Sequence, residues 1–464
     1  MDQFASFAIA IAIELGLFAA ILFAVFGVDD VMVDALRMGG IGKNTLPPVN
    51  LEHPASMRFA VMVPAWQEDG TIGTMLRTLL HRWADDSIRV YVGVYPNDLG
   101  TLMAVYEVAK GDDRIRVVIN DAHGPTTKAG CLNRIWRCCL ADAANGKFSA
   151  EAIVLHDAED VVDPAELIVL ADALADADFV QLPVVPLPQV DSPWISGHYC
   201  DEFAEAHGKD MPVRFAIGAA LPLAGVGCAI RMSALHRLAD AQGPFGSGSL
   251  TEDYELGLRL AASGAKGAFV RRWTIGGRLV ASRAYFPRRI EEAVRQKTRW
   301  LRGNALDAWD RLGWISVPDQ SVQHRVATWW MLWRDRRAAL SALAVLCAYV
   351  SLTLGLFAQL ATPTLVHTAL TGQPLLLWLS GFNLMLLLWR AAVRMVMVGR
   401  LYGWLHAPLA LARIPVSNII LVMTAWRALL GYWRRRTGTA LVWDKTAHHF
   451  PDDVALETAR EVRR

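Results

Sequence analysis

The chain reads as an α/β domain set between membrane helices. Three observations carry that reading. Between Phe59 and Val185, short apolar runs rich in β-branched residues alternate with helical patterns. Long apolar stretches with at most one charge flank that region. Across the 464 residues, 53% are hydrophobic and the mean hydropathy is +0.27, high for a wholly soluble chain. The length itself calls for more than one part.

The elements follow in order. Phe4 to Val28 is apolar apart from Glu14 and is long enough to span a bilayer. No basic region precedes it and no small-residue cleavage site follows, so an uncleaved span is expected rather than a signal peptide. Glu14 should face protein or the interface. The polar stretch 29–57, with Pro47-Pro48, reads as a linker. From residue 58 the soluble pattern begins and runs to 315. Strands are expected at Phe59–Val63, Ile88–Val94, Arg114–Ile119, Ala152–Leu155 and Asp178–Val185. Helices are expected at Thr71–Trp83, Thr101–Ala109 and Lys128–Leu140, which makes the sheet parallel with helices on both faces. Trp194–Arg214, Thr251–Ser263 and Arg289–Asp310 read as further helices, and Leu221–Met232 as a buried strand and turn.

Residues 316–337 are rich in Trp and Arg and suit an interface. Residues 338–361 and 370–390 read as spans. The stretch 391–436 is apolar but carries many arginines and ends in Arg434-Arg435-Arg436. The positive-inside bias argues against a crossing there, so interfacial or re-entrant helices are expected. The resulting topology has three spans, the amino terminus outside, and the soluble domain and the tail 437–464 in the cytosol. A net charge of +1 offers no field for nucleic acid. The six cysteines show no CxxC or Cys/His spacing and read as reduced core thiols.

Chemistry-bearing residues gather at strand ends. Ala152–Leu155 runs into His156-Asp157-Ala158-Glu159-Asp160. Side chains two apart on an extended segment share a face, so Asp157 and Glu159 are a candidate pair for Mg²⁺ or Mn²⁺. The plain alternative is an acidic loop before a helix. Glu68 and Asp98 follow the first two strands, where they are either nucleotide contacts or solvated acids. Lys128 in Lys128-Ala-Gly opens a helix and can approach phosphate. Asp253 in Thr251-Glu-Asp is either a general base or a capping acid. Gln296, Arg299 and Trp300 share one helix face, offering an amide, a guanidinium and a ring. That face reads equally as a basic interfacial one.

In this order the motifs resemble membrane-integrated family 2 glycosyltransferases of the cellulose and hyaluronan synthase kind, over about Phe59 to Trp300. The resemblance implies a GT-A (nucleotide-diphospho-sugar transferase) fold and a metal-dependent, inverting transferase at the bacterial inner membrane. It implies that Glu68, Asp98 and Lys128 hold the nucleotide. Asp157 and Glu159 would hold diphosphate and metal, and Asp253 would be the base. Gln296, Arg299 and Trp300 would cradle the diphosphate or the acceptor end. The donor implied is a nucleotide-sugar such as a UDP-sugar. The acceptor implied is a growing exopolysaccharide, processively extended, with an outer-membrane export partner. Transfer to a polyprenyl phosphate or other lipid is the alternative, and a non-catalytic membrane scaffold or phage-receptor component is the alternative of another class. His156–Asp160 and Leu441–Pro451 are also similar to a bacterial inner-membrane subgroup that carries a further cyclic di-GMP-binding domain. The expectation here is the synthase part without it.

Overall fold

The computed structural model describes residues 2–43, 46–50, 55, 57–84, 86–435, 449–451 and 454. Nine strands are named along this part of the chain. They are β1 (Phe59–Pro64), β2 (Ile88–Val94), β3 (Ile115–Ile119), β4 (Ala152–Leu155), β5 (Phe179–Gln181), β6 (Val184–Pro186), β7 (Cys228–Arg231), β8 (Gly267–Phe269) and β9 (Ser282–Ala284). Seven of them form one sheet in the order β3-β2-β1-β4-β7-β5-β8, and β6 pairs with β9.

β1 is central because every one of its residues is buried. Phe59, Val61 and Val63 pack on one face against Ile72, Met75, Leu76 and Leu79. Ala60 and Met62 pack on the other face with Tyr91, Ile135 and Trp136. This is the period-two alternation of a strand covered on both sides. β1 runs parallel to β2 on one side, with Phe59 opposite Ile88, and parallel to β4 on the other, with Met62 opposite Leu155. The order reverses at β1, so the carboxyl ends of β1 and β4 open a crevice at the switch point.

Two sequence expectations for the sheet are corrected. The stretch Asp178–Val185 is two strands, β5 and β6, which lie in different sheets. The sheet is mixed, because β7 runs antiparallel to β4 and β5. Gly225 and Gly227, at φ +76° and +57°, turn the chain into β7 at the same end of the sheet as the site. The strand must then run back against its neighbours.

The first helix, Asp2–Met38, passes through Asp29 and runs ten residues into the expected linker. The acids that suggested its end are neutralised from far along the chain. Arg334 and Arg337 pair with Asp29 and Asp30, and Arg390 pairs with Asp30. Trp330 donates to Asp29, and Lys209 reaches Asp34 at 2.9 Å. Glu14 is exposed. It lies about 22 Å along the helix from Asp29.

Among the described residues, four helices are long and apolar enough to cross a membrane: Ala5–Met38, Ala338–Ala361, Pro374–Tyr402 and Ile414–Arg434. The third continues as one helix past residue 390, where interfacial helices were expected to begin. The fourth differs from the others in its contacts. Near its start Ser417 bonds to His198 at 2.7 Å, and near its end Tyr432 donates to Asp310 at 2.6 Å. Both partners belong to the α/β part. Arg413, just before this helix, makes a two-pronged buried bond to Asp201 at 2.7 and 2.6 Å. The six cysteines are free thiols.

Candidate active site

The site is assembled from strand ends and two helix starts. After β1 the chain turns at Gln67 (φ +54°) and presents Glu68, which is buried. Thr71 Oγ1 donates to its carboxylate at 2.8 Å, and its own N–H donates to Thr101 Oγ1 at 2.8 Å. Asp98, at the end of β2, has a different task from Glu68. It caps the helix Leu99–Ala109 by accepting from Thr101 N–H at 3.3 Å, and it accepts from Gln67 N–H at 2.5 Å. It thereby holds the turn that carries Glu68 and is not among the residues that line the cavity described below.

At the end of β4, His156 is fully buried between two acids. Its Nδ1 lies 2.8 Å from Asp160 and its Nε2 3.0 Å from Glu166. The Asp160 oxygen that meets His156 also accepts from the N–H of Asp157 at 3.0 Å. The buried ring therefore fixes the turn from which Asp157 and Glu159 reach the cavity. Burial disfavours charge on His156, but Glu166 and Asp160 outweigh it and push its pKa up to about 10. Sequence reasoning missed His156 and Glu166. The signal was there, in a histidine flanked by acids at i+4 and i+10.

Lys128 starts the helix Lys128–Ala144, whose Thr127 cap accepts from Gly130 N–H at 3.1 Å. Its ammonium sits 2.6 Å from Asp157 and 3.8 Å from Glu252. Burial works against its charge, yet Asp157, Glu252 and Asp253 together hold it protonated well above the usual lysine range. Glu252 and Asp253 open the helix Glu252–Ala262. Burial raises both carboxyls, with Lys128 opposing, and Glu252 is pushed up to about 7. Asp253 Oδ1 accepts from Tyr254 N–H at 2.8 Å. A Cβ on Gly225 would overlap the other Asp253 oxygen, so only glycine lets this loop approach.

The helix Ile290–Leu301 carries Gln296, Arg299 and Trp300 on one face, as the spacing requires, and all three line the cavity. Trp300 is held edge-on among Tyr199, Phe203 and Phe286. Gln296 Oε1 is buried and has no hydrogen-bond partner among the described residues. The helix then widens into a π turn, Arg302–Asp307, whose Gly303 packs on Thr251. Such turns recur at functional sites.

These groups share one cavity of about 510 Å³. Its lining includes Glu68, Lys128, Asp157, Glu159, Glu252, Asp253, Gln296, Arg299 and Trp300. It continues past Asp253 to Met331, Arg334 and Arg337, at the base of the long apolar helices, a wall the sequence did not announce. His449 also lines it and Phe450 is buried in the domain core, while 436–448 of the tail lie outside the described residues. Among the described residues no cluster of three or more His, Cys, Asp or Glu could hold a metal by itself. Asp157 and Glu159 supply two carboxylates at one strand end. That set fits a hard cation which takes its remaining oxygens from a diphosphate and water.

Residues 54–303 match the family described as "Glycosyltransferase like family 2". The chain belongs to that family. The matched stretch contains every site residue named above from Glu68 to Trp300. The chain is also 32% identical, over 97% of its length, to Bacteriophage adsorption protein B of Escherichia coli K12. The same figures hold for Bacteriophage N4 adsorption protein B of Escherichia coli O157:H7. The chain spans 64% of the length of these relatives. Among solved structures, a mannosyltransferase from Pyrobaculum calidifontis in complex with GDP-Man and Mn²⁺ aligns with a TM-score of 0.53. That alignment covers 91% of this chain and 99% of the other at 17% identity, and shows a shared GT-A-like fold. The family 2 domain is a glycosyltransferase domain with a mixed sheet, and long apolar helices precede and follow it in the chain.

Proposed function

We propose that this family 2 chain is an inverting, metal-dependent transferase at a bacterial inner membrane. It moves a sugar from a nucleotide-sugar, read as a UDP-sugar, to the hydroxyl of a growing exopolysaccharide. The observation that carries the reading is convergence. Lys128, Asp157, Glu159, Asp253, Gln296, Arg299 and Trp300 come from four separate segments and line one cavity.

Asp253 takes the proton of the acceptor hydroxyl. Burial raises its carboxyl, which makes it a better base than an exposed aspartate. The hydroxyl oxygen bonds to the anomeric carbon as the bond from that carbon to the diphosphate oxygen breaks. The configuration inverts and the nucleoside diphosphate leaves. Lys128 and Arg299 offset the charge that gathers on the leaving group. The unpartnered Gln296 carbonyl and the fixed Trp300 ring supply an acceptor and a flat apolar face for a sugar. Mg²⁺ or Mn²⁺ held by Asp157 and Glu159 would neutralise the diphosphate.

The membrane part of the proposal has three spans with the domain in the cytosol. A 22-residue helix is about 33 Å long, so a crossing helix can keep only one end at the domain. The helix Ile414–Arg435 bonds to the domain at both ends, which supports an interfacial placement. The cavity reaches the base of the membrane helices, so the acceptor end of the site faces the bilayer. Acceptor extension there requires an exit for the glycan, hence a partner for export across an outer membrane.

The test is nucleoside-diphosphate release by the detergent-purified chain over a panel of UDP- and GDP-sugars with Mn²⁺ or Mg²⁺. One donor should give release that chelation abolishes. Asp253→Asn should lower the rate by about 10²–10⁴ and leave nucleotide affinity unchanged. Full activity in that variant would refute the assigned base. A product of one sugar on polyprenyl phosphate, rather than a polymer, would move the acceptor to a lipid.

A further inference from the structure

A second cavity, of about 530 Å³, lies between the α/β domain and the membrane helices. Among its described lining residues the charged side chains have one sign. Arg37, Lys43, Arg271 and Arg400 contribute, with His207 beside them, and no carboxylate is among its described lining residues. Arg37 Nε and an Arg271 guanidinium nitrogen both donate to the carbonyl of Gly208, at 3.3 and 3.2 Å. One carbonyl oxygen thus gathers two guanidinium groups. Burial, and then the nearby Arg37, pull the pKa of Arg271 down to about 10. A purely structural role accounts for the Gly208 bonds. It leaves Lys43 and Arg400 unexplained, since both are exposed and still line the same cavity.

The position of the cavity bears on what it takes. Asp30, Arg337 and Arg390 form the charged belt where the apolar part of the helices ends. Arg37 lies seven residues past Asp30 and Arg400 ten past Arg390. At 1.5 Å per residue these offsets are about 10 and 15 Å. The headgroup layer of one leaflet is roughly 5–8 Å deep. With the belt as the membrane boundary, the cavity opens beyond the headgroups, in water on the side that holds the domain.

We infer that this cavity binds a small soluble phosphorylated molecule carrying two or more phosphate charges. Arginine's planar fork matches phosphate oxygens, and three arginines converge here. The Arg271 guanidinium is backed by the Trp273 ring at 5.2 Å, which holds its plane in place. Val184, Phe203 and His207 line both cavities, so an occupant here presses on a wall of the donor site. His207 is tied into that wall through the N–H of Val184 at 2.8 Å.

The experiment is equilibrium dialysis of inorganic tripolyphosphate against the full chain in detergent, with EDTA present. A Lys128→Met background weakens phosphate binding at the donor site. Binding should survive Lys128→Met. It should weaken about tenfold in Arg400→Gln, the loss of one charge-assisted contact, and further in Arg37→Gln/Arg271→Gln. Arg400 is exposed, so its variant should keep the wild-type melting temperature and guards against misfolding as the cause. Three results would overturn the inference: no binding, binding lost in Lys128→Met but intact in Arg400→Gln, or binding confined to nanodiscs containing phosphatidylglycerol. The last would make the ligand a lipid headgroup.

Discussion

His156→Ala tests the network beneath the metal-competent turn. The imidazole is the shared cation of Asp160 and Glu166, and all three side chains are essentially out of water. Without it, two carboxylates remain buried and face no positive charge from that position. One of them must then take a proton at pH 7. For an aspartate of ordinary pKa about 3.9, that costs about 4 kcal/mol. Breaking a buried pair by removing one partner costs about 3–5 kcal/mol, which agrees. For a domain of this size the melting temperature should fall by about 10 °C. The second consequence is local. Asp160 loses one of its two anchors and so holds the Asp157 N–H less firmly. Mn²⁺ affinity in the presence of nucleoside diphosphate should drop by about tenfold or more, as for other changes behind a metal ligand. Thermal unfolding in detergent reads the first effect, and Mn²⁺ titration by electron paramagnetic resonance reads the second. The triple variant His156→Leu/Asp160→Asn/Glu166→Gln removes the charges together and should cost less than His156→Ala alone. A loss below about 1 kcal/mol in His156→Ala, with Mn²⁺ affinity unchanged, would refute the reasoning.

Three further outcomes are expected. Gly225→Ala places a methyl group against the Asp253 carboxylate at a backbone φ of +76°, so transfer should fall along with about 1–2 kcal/mol of stability; steady-state kinetics beside melting curves would show both. Glu252, pushed up to about 7 by burial, keeps its proton in the folded chain where the unfolded chain has released it. Folding stability attributable to it therefore falls as pH rises from about 4.5 to 7, by roughly 3 kcal/mol. Melting temperatures at pH 5 and pH 8 should show a shallower fall in Glu252→Gln than in the wild type, and equal slopes would contradict the assignment. Arg413→Ala strands Asp201 in the core and should cost about 3–5 kcal/mol. Limited proteolysis should then cut the segment carrying Ile414–Arg435 sooner than in the wild type.

The parts legible in the sequence are those encoded by neighbours along the chain. Period-two and fully apolar runs marked β1 to β4, because each strand's burial is set by its own residues. The i, i+3, i+4 spacing put Gln296, Arg299 and Trp300 on one face before any packing was known. Acids at the end of β4 and a lysine at a helix start were recognisable for the same reason. What stayed hidden depends on residues far apart. The first helix continues past Asp29 and Asp30 because arginines some 300 positions away neutralise them. Asp98 holds the turn that carries Glu68 because the Gln67 N–H, 31 positions away, meets it in space. The direction of β7 was decided by where two left-handed glycines feed the chain into the sheet. Asp160 and Glu166 stand near His156 in the sequence, but its burial between them comes only with the packing of the β4 end. The basic cavity draws Arg37, Arg271 and Arg400 from three distant segments. Local pattern fixes which face of an element is buried. It carries no record of which distant charge that face will meet, and only the tertiary structure supplies the partner.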